Sequence, residues 1–128
     1  MSHKISFVVD DEPSVRTFII AVLRSNGFQT LEAENGVQAL ELMPKLGGAV
    51  DLLVSDIQVP IMDGIALAAS VRKEFPAVPL IQVSGHVEAE QAKRPDCHFE
   101  FIQKPFPPAT LLRMVSKVMR SNSTTSID

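Results

Sequence analysis

Five polar side chains stand at or just after the ends of short apolar runs in this sequence: Asp10, Asp11, Asp56, Ser84 and Lys104. Carboxylates brought together repel one another, so a cluster of three needs a cation. Mg²⁺ prefers oxygen ligands and is the usual ion where phosphate also binds. A cation and an ammonium beside one carboxylate stabilise an incoming phosphoryl group, and the carboxylate can attack it. The pattern therefore predicts phosphoryl transfer to Asp56, which ends a rigid buried strand.

Each of these residues also has an ordinary structural interpretation. Asp10 and Asp11 could cap the helix that follows them, and Asp56 could cap a helix or turn. Ser84 taken alone is better explained as a buried hydroxyl, and Lys104 taken alone as a solvated lysine. Their joint placement at strand ends favours a shared site.

The elements that would position these residues follow from hydrophobic periodicity. Strands are predicted at 5–9, 28–33, 51–55, 80–84 and 99–102, and helices from Pro13 to Asn26-Gly27, at 36–46, 64–75 and 87–94, and from Pro107-Pro108 onward. This alternation predicts an α/β, flavodoxin-like fold with a five-stranded parallel sheet, order 2-1-3-4-5, and helices on both faces. One domain is expected over 4–120, followed by a polar tail or linker stub at 121–128.

Composition narrows the class of protein. The chain has 128 residues, 45% of them apolar and 21% charged, with a net charge of −3. Nothing in this balance indicates contact with nucleic acid or a membrane. The single cysteine excludes an internal disulfide and suits a reducing compartment. We therefore expect a cytoplasmic domain.

The motifs VVDDEP, DIQVPIMDG, QVSGH and FIQKPF, in that order, resemble those of the receiver domains of two-component response regulators. The resemblance covers about residues 4 to 120. It implies that Asp56 is the phosphoacceptor and that Asp11 and Asp56 ligate Mg²⁺ directly. Asp10 would act mainly through water, and the backbone carbonyl of Gln58 would supply another ligand.

The resemblance also assigns the residues around the phosphoryl group. Ser84 and Lys104 would each reach one of its oxygens, and Phe101 occupies the aromatic switch position. Because phenylalanine lacks a hydroxyl, switching here would depend on packing. The Lys104–Pro105 bond would be cis, which costs little before proline.

Gln58 lies two residues after the acceptor, and His86 lies two residues after Ser84. In the family these positions line the route of the hydrolytic water. Our hypothesis is that both tune the lifetime of the acyl phosphate, the alternative being that they point to solvent.

The implied donor is a sensor histidine kinase or phosphotransfer protein, and a downstream partner would bind the 87–120 face of a monomer or weak homodimer. The domain would be no enzyme beyond promoting its own phosphorylation and dephosphorylation. Three alternatives stay open: an aspartyl-phosphate phosphatase-like enzyme, a degenerate receiver acting as a constitutive interaction module, and a flavin-binding fold. A phosphatase of this kind usually has a second acid at the position of Gln58. A flavin-binding fold is disfavoured because the acids of DDEPS, after the first strand, would repel phosphate without a metal.

Overall fold

A computed structural model of the chain describes residues 4–46, 49–56, 70, 71, 73, 78–85 and 100–127. The strands are β1 (Lys4–Val9), β2 (Phe28–Ala33), β3 (Leu52–Asp56), β4 (Leu80–Ser84) and β5 (Glu100–Gln103). The helices are α1 (Pro13–Arg24), α2 (Gly36–Leu42), a 3₁₀ turn (Pro44–Leu46) and the C-terminal helix (Pro108–Ile127).

The five strands form one parallel sheet in the order β2-β1-β3-β4-β5, as predicted. All five residues of β3 and of β4 are buried, whereas both edge strands, β2 and β5, keep exposed residues. This gradient is the one expected when helices cover both faces of a parallel sheet. The strand order reverses at β1, which pairs with both β2 and β3.

Alternating side chains of the strands fill two separate cores. On one face Phe7, Leu53 and Leu80 pack with Ala39 and Met43, which lie on and just after α2. On the other face strand residues pack with α1 and the C-terminal helix; they include Val8, Val54, Ile81, Ile19, Leu23, Leu111 and Val115. Since both faces are covered, the polar residues gather beyond the carboxyl ends of the strands.

Two helix boundaries follow from backbone chemistry. Pro13 opens α1, where a missing N–H costs nothing, and Gly27 follows the helix with a φ of +91°. The prediction of a second helix to residue 46 is wrong, because α2 ends at Leu42 and Pro44 begins a 3₁₀ turn. A proline removes a helical donor and disfavours helical backbone in the residue before it.

The C-terminal helix runs to Ile127, through the residues that we predicted as a polar tail. The segment SNSTTS contains neither glycine nor proline, so nothing stops the helix there. Residues 70, 71 and 73 are helical, and the rest of the helices predicted at 64–75 and 87–94 lies outside the described residues. Within the described part of the chain, no helix has the length and apolarity needed to span a bilayer.

Two buried serines of the sheet differ in their hydrogen bonding. Ser6 on β1 is fully buried, and its hydroxyl finds no hydrogen-bond partner among the described residues. Ser55 on β3 is equally buried, but its hydroxyl donates to the carbonyl oxygen of Asp56 at 3.1 Å. The same truncation should therefore have opposite effects at the two positions.

We predict that Ser6→Ala raises the free energy of unfolding by about 1 kcal/mol, because a buried and unsatisfied hydroxyl is removed. Ser55→Ala is the matched control and should lower it by about 1 kcal/mol. Urea unfolding followed by circular dichroism measures both values. A loss of stability in Ser6→Ala similar to that in Ser55→Ala would contradict the prediction.

Candidate functional site

Three carboxylates meet where the first and third strands end. Asp10 follows β1, Asp56 is the last residue of β3, and these strands are neighbours in the sheet. One carboxylate oxygen from each of Asp10, Asp11 and Asp56 can be chosen so that all three lie within 4.8 Å of one another. Asp10 is 0% exposed and Asp56 is 7% exposed, whereas Asp11 is open to solvent. The cluster therefore has one solvent-exposed carboxylate, Asp11, and two sheltered ones, Asp10 and Asp56.

Lys104 brings a positive charge to this cluster from the end of β5. Its ammonium donates to Asp56 Oδ2 at 2.5 Å and to Asp10 Oδ2 at 3.4 Å. The side chain of Lys104 is 22% exposed, so the contact is largely sheltered from water. Four residues from three separate segments of the chain thus converge as predicted, and three acids face one ammonium.

The loop that carries Asp10 and Asp11 is held by several hydrogen bonds. The backbone N–H of Asp10 donates to the carbonyl oxygen of Ala33 at 3.2 Å. Asp10 Oδ1 accepts from the backbone N–H of Glu12 at 2.9 Å, so this acid supports the start of α1 while its other oxygen faces Lys104. Asp10 therefore lies in the site and also orders the turn before α1, but it is not the helix cap considered as the alternative, because the N-cap position is Glu12.

Arg16 also holds this loop, and sequence reasoning missed it. Its Nη1 donates to the carbonyl oxygen of Asp10 at 2.6 Å, and its Nε donates to Glu32 Oε1 at 2.8 Å. The guanidinium thereby ties the acidic loop to the edge strand β2. Its position in the second turn of α1, shortly after the acids, was the only signal available in the sequence.

Burial and charge shift two pKa values at the site. The pKa of the Asp10 carboxyl is raised above its ordinary value, first by burial and also by the negative charge of Asp56. The Glu12 N–H and the Lys104 ammonium oppose this shift without cancelling it. Burial acts to lower the pKa of Lys104, but the hydrogen bond and attraction from Asp56, together with Asp10, outweigh it and raise the pKa. Lys104 therefore stays positively charged beside Asp56.

The other predicted residues lie on the neighbouring strands. Ser84 is the buried last residue of β4, and Phe101 is half-buried on β5, opposite Gln82. The Lys104–Pro105 peptide bond, expected to be cis, is cis. Gln58 and His86 lie outside the described residues.

Comparison with known proteins gives one family for this arrangement. The sequence pattern described as "Response regulator receiver domain" matches residues 7–116. The chain is 40% identical over 114 residues to the sensor kinase CckA of Brucella abortus, and the match covers 88% of this chain and 12% of that protein. It is 32% identical to the DNA-binding transcriptional regulator NtrC of Escherichia coli K12, covering 83% of this chain and 23% of that protein.

A solved structure agrees with these matches. The receiver domain from the hybrid histidine kinase CckA superposes with a TM-score of 0.77 at 30% identity, over 90% of this chain and 98% of that one. This chain therefore corresponds to one whole domain of the solved structure, and it spans less than a quarter of the CckA and NtrC proteins named above.

We predict that Asp10→Asn stabilises the protein when no divalent ion is present. The amide removes one buried negative charge, and its oxygen can still accept from Glu12, so the free energy of unfolding should rise by about 1 kcal/mol at neutral pH. Folding raises the pKa of Asp10, so protonation of Asp10 stabilises the folded protein at pH values below 3.8. This stabilisation is lost as the pH rises through the pKa that Asp10 has in the folded protein. The gain from Asn should therefore shrink as the pH falls toward 3.8. Urea titrations in EDTA at several pH values measure it, and a variant less stable than wild type at neutral pH would refute it.

Proposed function

This chain belongs to the family of response regulator receiver domains, and on that premise we propose that Asp56 is the residue that accepts the phosphoryl group. The contact of Lys104 with Asp56, inside a cluster of three acids, is the observation that carries the proposal. A carboxylate at the end of a buried central strand is held in place by the sheet, and its position at the rim leaves it within reach of a donor.

The proposed reaction is an in-line exchange at phosphorus. A carboxylate oxygen of Asp56 forms the new P–O bond while the P–N bond of a phosphohistidine breaks, and the electron pair of that bond leaves with the imidazole. Lys104, which contacts Asp56 before transfer, pairs with a phosphoryl oxygen afterwards. Ser84 donates to a second phosphoryl oxygen from the end of β4.

The residues around Asp56 suit a Mg²⁺ ion. Three carboxylates against one ammonium leave an excess of negative charge, and oxygen is the donor that Mg²⁺ prefers. Asp11 and Asp56 would hold the ion directly, Asp10 would act through water, and the backbone carbonyl of Gln58 would complete the set. When bound, the ion neutralises charge on the phosphoryl oxygens.

The signal would leave the site through the last two strands. Ser84 is drawn toward the phosphoryl group, and Phe101 takes up the space that is vacated. The ion pair between Lys117 and Glu100, at 3.0 Å, joins β5 to the C-terminal helix, so a shift of β5 would reach that helix. A downstream partner then binds the 87–120 face of a monomer or weak homodimer.

Receiver domains interact with sensor kinases or phosphotransfer proteins, and we propose such a protein as the cytoplasmic donor. A depression between α1 and the residues after β5 has Val15, Phe18 and Phe106 in its lining, and it also reaches Lys104, which contacts Asp56. The ring centroids of Phe18 and Phe106 lie 5.8 Å apart. This surface suits the apolar side of a helical donor that delivers its phosphohistidine to Asp56.

We predict that incubation with acetyl phosphate and Mg²⁺ adds one phosphoryl group to the protein. Intact mass spectrometry measures the addition. Asp56→Asn and treatment with EDTA should each abolish it, because one removes the nucleophile and the other removes the cation. Continuous release of phosphate from phosphate esters, with no stable adduct, would instead support the phosphatase-like alternative.

We also predict that Gln58→Ala and His86→Ala each slow hydrolysis of the acyl phosphate severalfold, because a polar group that orders the attacking water is lost. The decay of the phosphorylated protein, followed by intact mass after removal of the donor, measures the rate constant. Gln29→Ala, at an exposed position of the edge strand β2, is the control and should leave the rate unchanged. Unchanged decay in both alanine variants would remove these residues from the reaction.

A further inference from the structure

We propose that Gln103 is a positioning residue that fixes Ser84 and Lys104 relative to each other, and so sets the rate at which Asp56 is phosphorylated. The inference rests on the proposed function, because it concerns the two groups that contact the phosphoryl oxygens. Gln103 itself is exposed and is not proposed to touch the phosphoryl group.

The side chain of Gln103 bridges the ends of β4 and β5. Its Nε2 donates to the carbonyl oxygen of Gly85 at 2.5 Å and to the carbonyl oxygen of Lys104 at 3.1 Å. Gly85 is the first residue after β4, and Lys104 is the first residue after β5. The bridge therefore joins the two backbone positions that directly follow the neighbouring strands.

The two carbonyl contacts agree with the chemistry of a primary amide. A primary amide nitrogen carries two hydrogens, so one nitrogen can donate to both carbonyl oxygens at once. Both carbonyl oxygens are acceptors only, so at these two contacts the reversed amide would place oxygen against oxygen. Glutamine thus provides in one side chain the two donors that these carbonyls need.

One backbone hydrogen bond continues the ladder between β4 and β5 just beyond the end of β5. Ser84 and Gln103 are register partners, and the N–H of Lys104 donates to the carbonyl oxygen of Ser84 at 2.8 Å. The carbonyl oxygen of Gly85 is the next acceptor along the chain, and it accepts a hydrogen bond from the Gln103 side chain. Side-chain bonding thereby extends the connection between the two strands by one residue, at the point where their functional groups project.

This placement has a catalytic consequence. Ser84 and Lys104 must contact different oxygens of one phosphoryl group, and displacement of a catalytic group by about 1 Å can cost roughly 100-fold in rate. With the bridge in place, the backbone after Ser84 cannot move away from Lys104 without breaking a hydrogen bond. Loss of the bridge should therefore slow phosphorylation without altering the metal ligands, which lie on β1, β3 and the residues that follow them.

The test measures phosphorylation rate and metal affinity separately. Gln103→Met keeps the length of the side chain and removes both N–H donors. Gln103→Glu also removes both donors, and it adds a negative charge. Each should lower the second-order rate constant for phosphorylation by acetyl phosphate about tenfold. The Mg²⁺ dissociation constant should stay within about twofold of wild type. Because the chain has no tryptophan or tyrosine, amide NMR is the suitable measure of Mg²⁺ binding, and intact mass measures phosphorylation.

Two further variants separate positioning from general stability. Gln103→Lys retains a long donor and should recover much of the rate. Gln29→Met makes the control substitution at an exposed glutamine of the other edge strand, β2, and should behave as wild type. Amide hydrogen exchange at Lys104 should quicken in Gln103→Met, because the strand ends separate more readily.

Each outcome decides between two conclusions. Wild-type rates in Gln103→Met would overturn the inference, and so would slow phosphorylation accompanied by an equal loss of Mg²⁺ affinity. A phosphorylation rate in Gln103→Lys as low as that in Gln103→Met would also overturn the inference, because a side-chain donor at this position would then not affect the rate. If wild-type protein gains no phosphoryl group, the proposed function fails first, and this result is distinguishable because it appears before any variant is compared.

Discussion

Repulsion among the three carboxylates at the carboxyl end of the sheet is the constraint on which the site depends. Burial raises the pKa of Asp10, and this effect alone would favour the protonated, uncharged carboxyl. The Lys104 ammonium offsets part of the negative charge of the cluster because it contacts both Asp10 and Asp56. The remaining negative charge is the physical reason why the site suits a divalent cation. A cluster built for stability alone would replace these acids with neutral side chains.

The sheet converts that unfavourable cluster into a fixed geometry. β1 and β3 are neighbours at the reversal of strand order, so Asp10 and Asp56 project from adjacent strand ends. Helices cover both faces, and the two cores hold the strands in register, so the carboxylates cannot separate without disturbing buried residues. The energy that keeps like charges together therefore comes from apolar packing elsewhere in the domain.

Small polar contacts then refine the positions that the sheet provides. Arg16 holds the carbonyl of Asp10 on one side of the site, and Gln103 joins the residues after Ser84 and β5 on the other. Both act on backbone carbonyls and not on the functional groups themselves. Such contacts are local in effect, because each restrains a short piece of backbone next to the cluster.

Hydrophobic periodicity and the polar residues at strand ends determined a great deal by themselves: five strands, their order, α1, and the convergence of Asp10, Asp11, Asp56 and Lys104. Periodicity placed the end of α2 too late, because Pro44 interrupts the helix. It also gave no sign that the C-terminal helix continues through the polar residues beyond 120. Only the tertiary structure shows the hydrogen bonds of Arg16 and Gln103 beside the cluster, because these bonds join segments whose proximity no local pattern encodes. It also decided which acid is buried, since exposure depends on the neighbours that folding brings to each carboxylate.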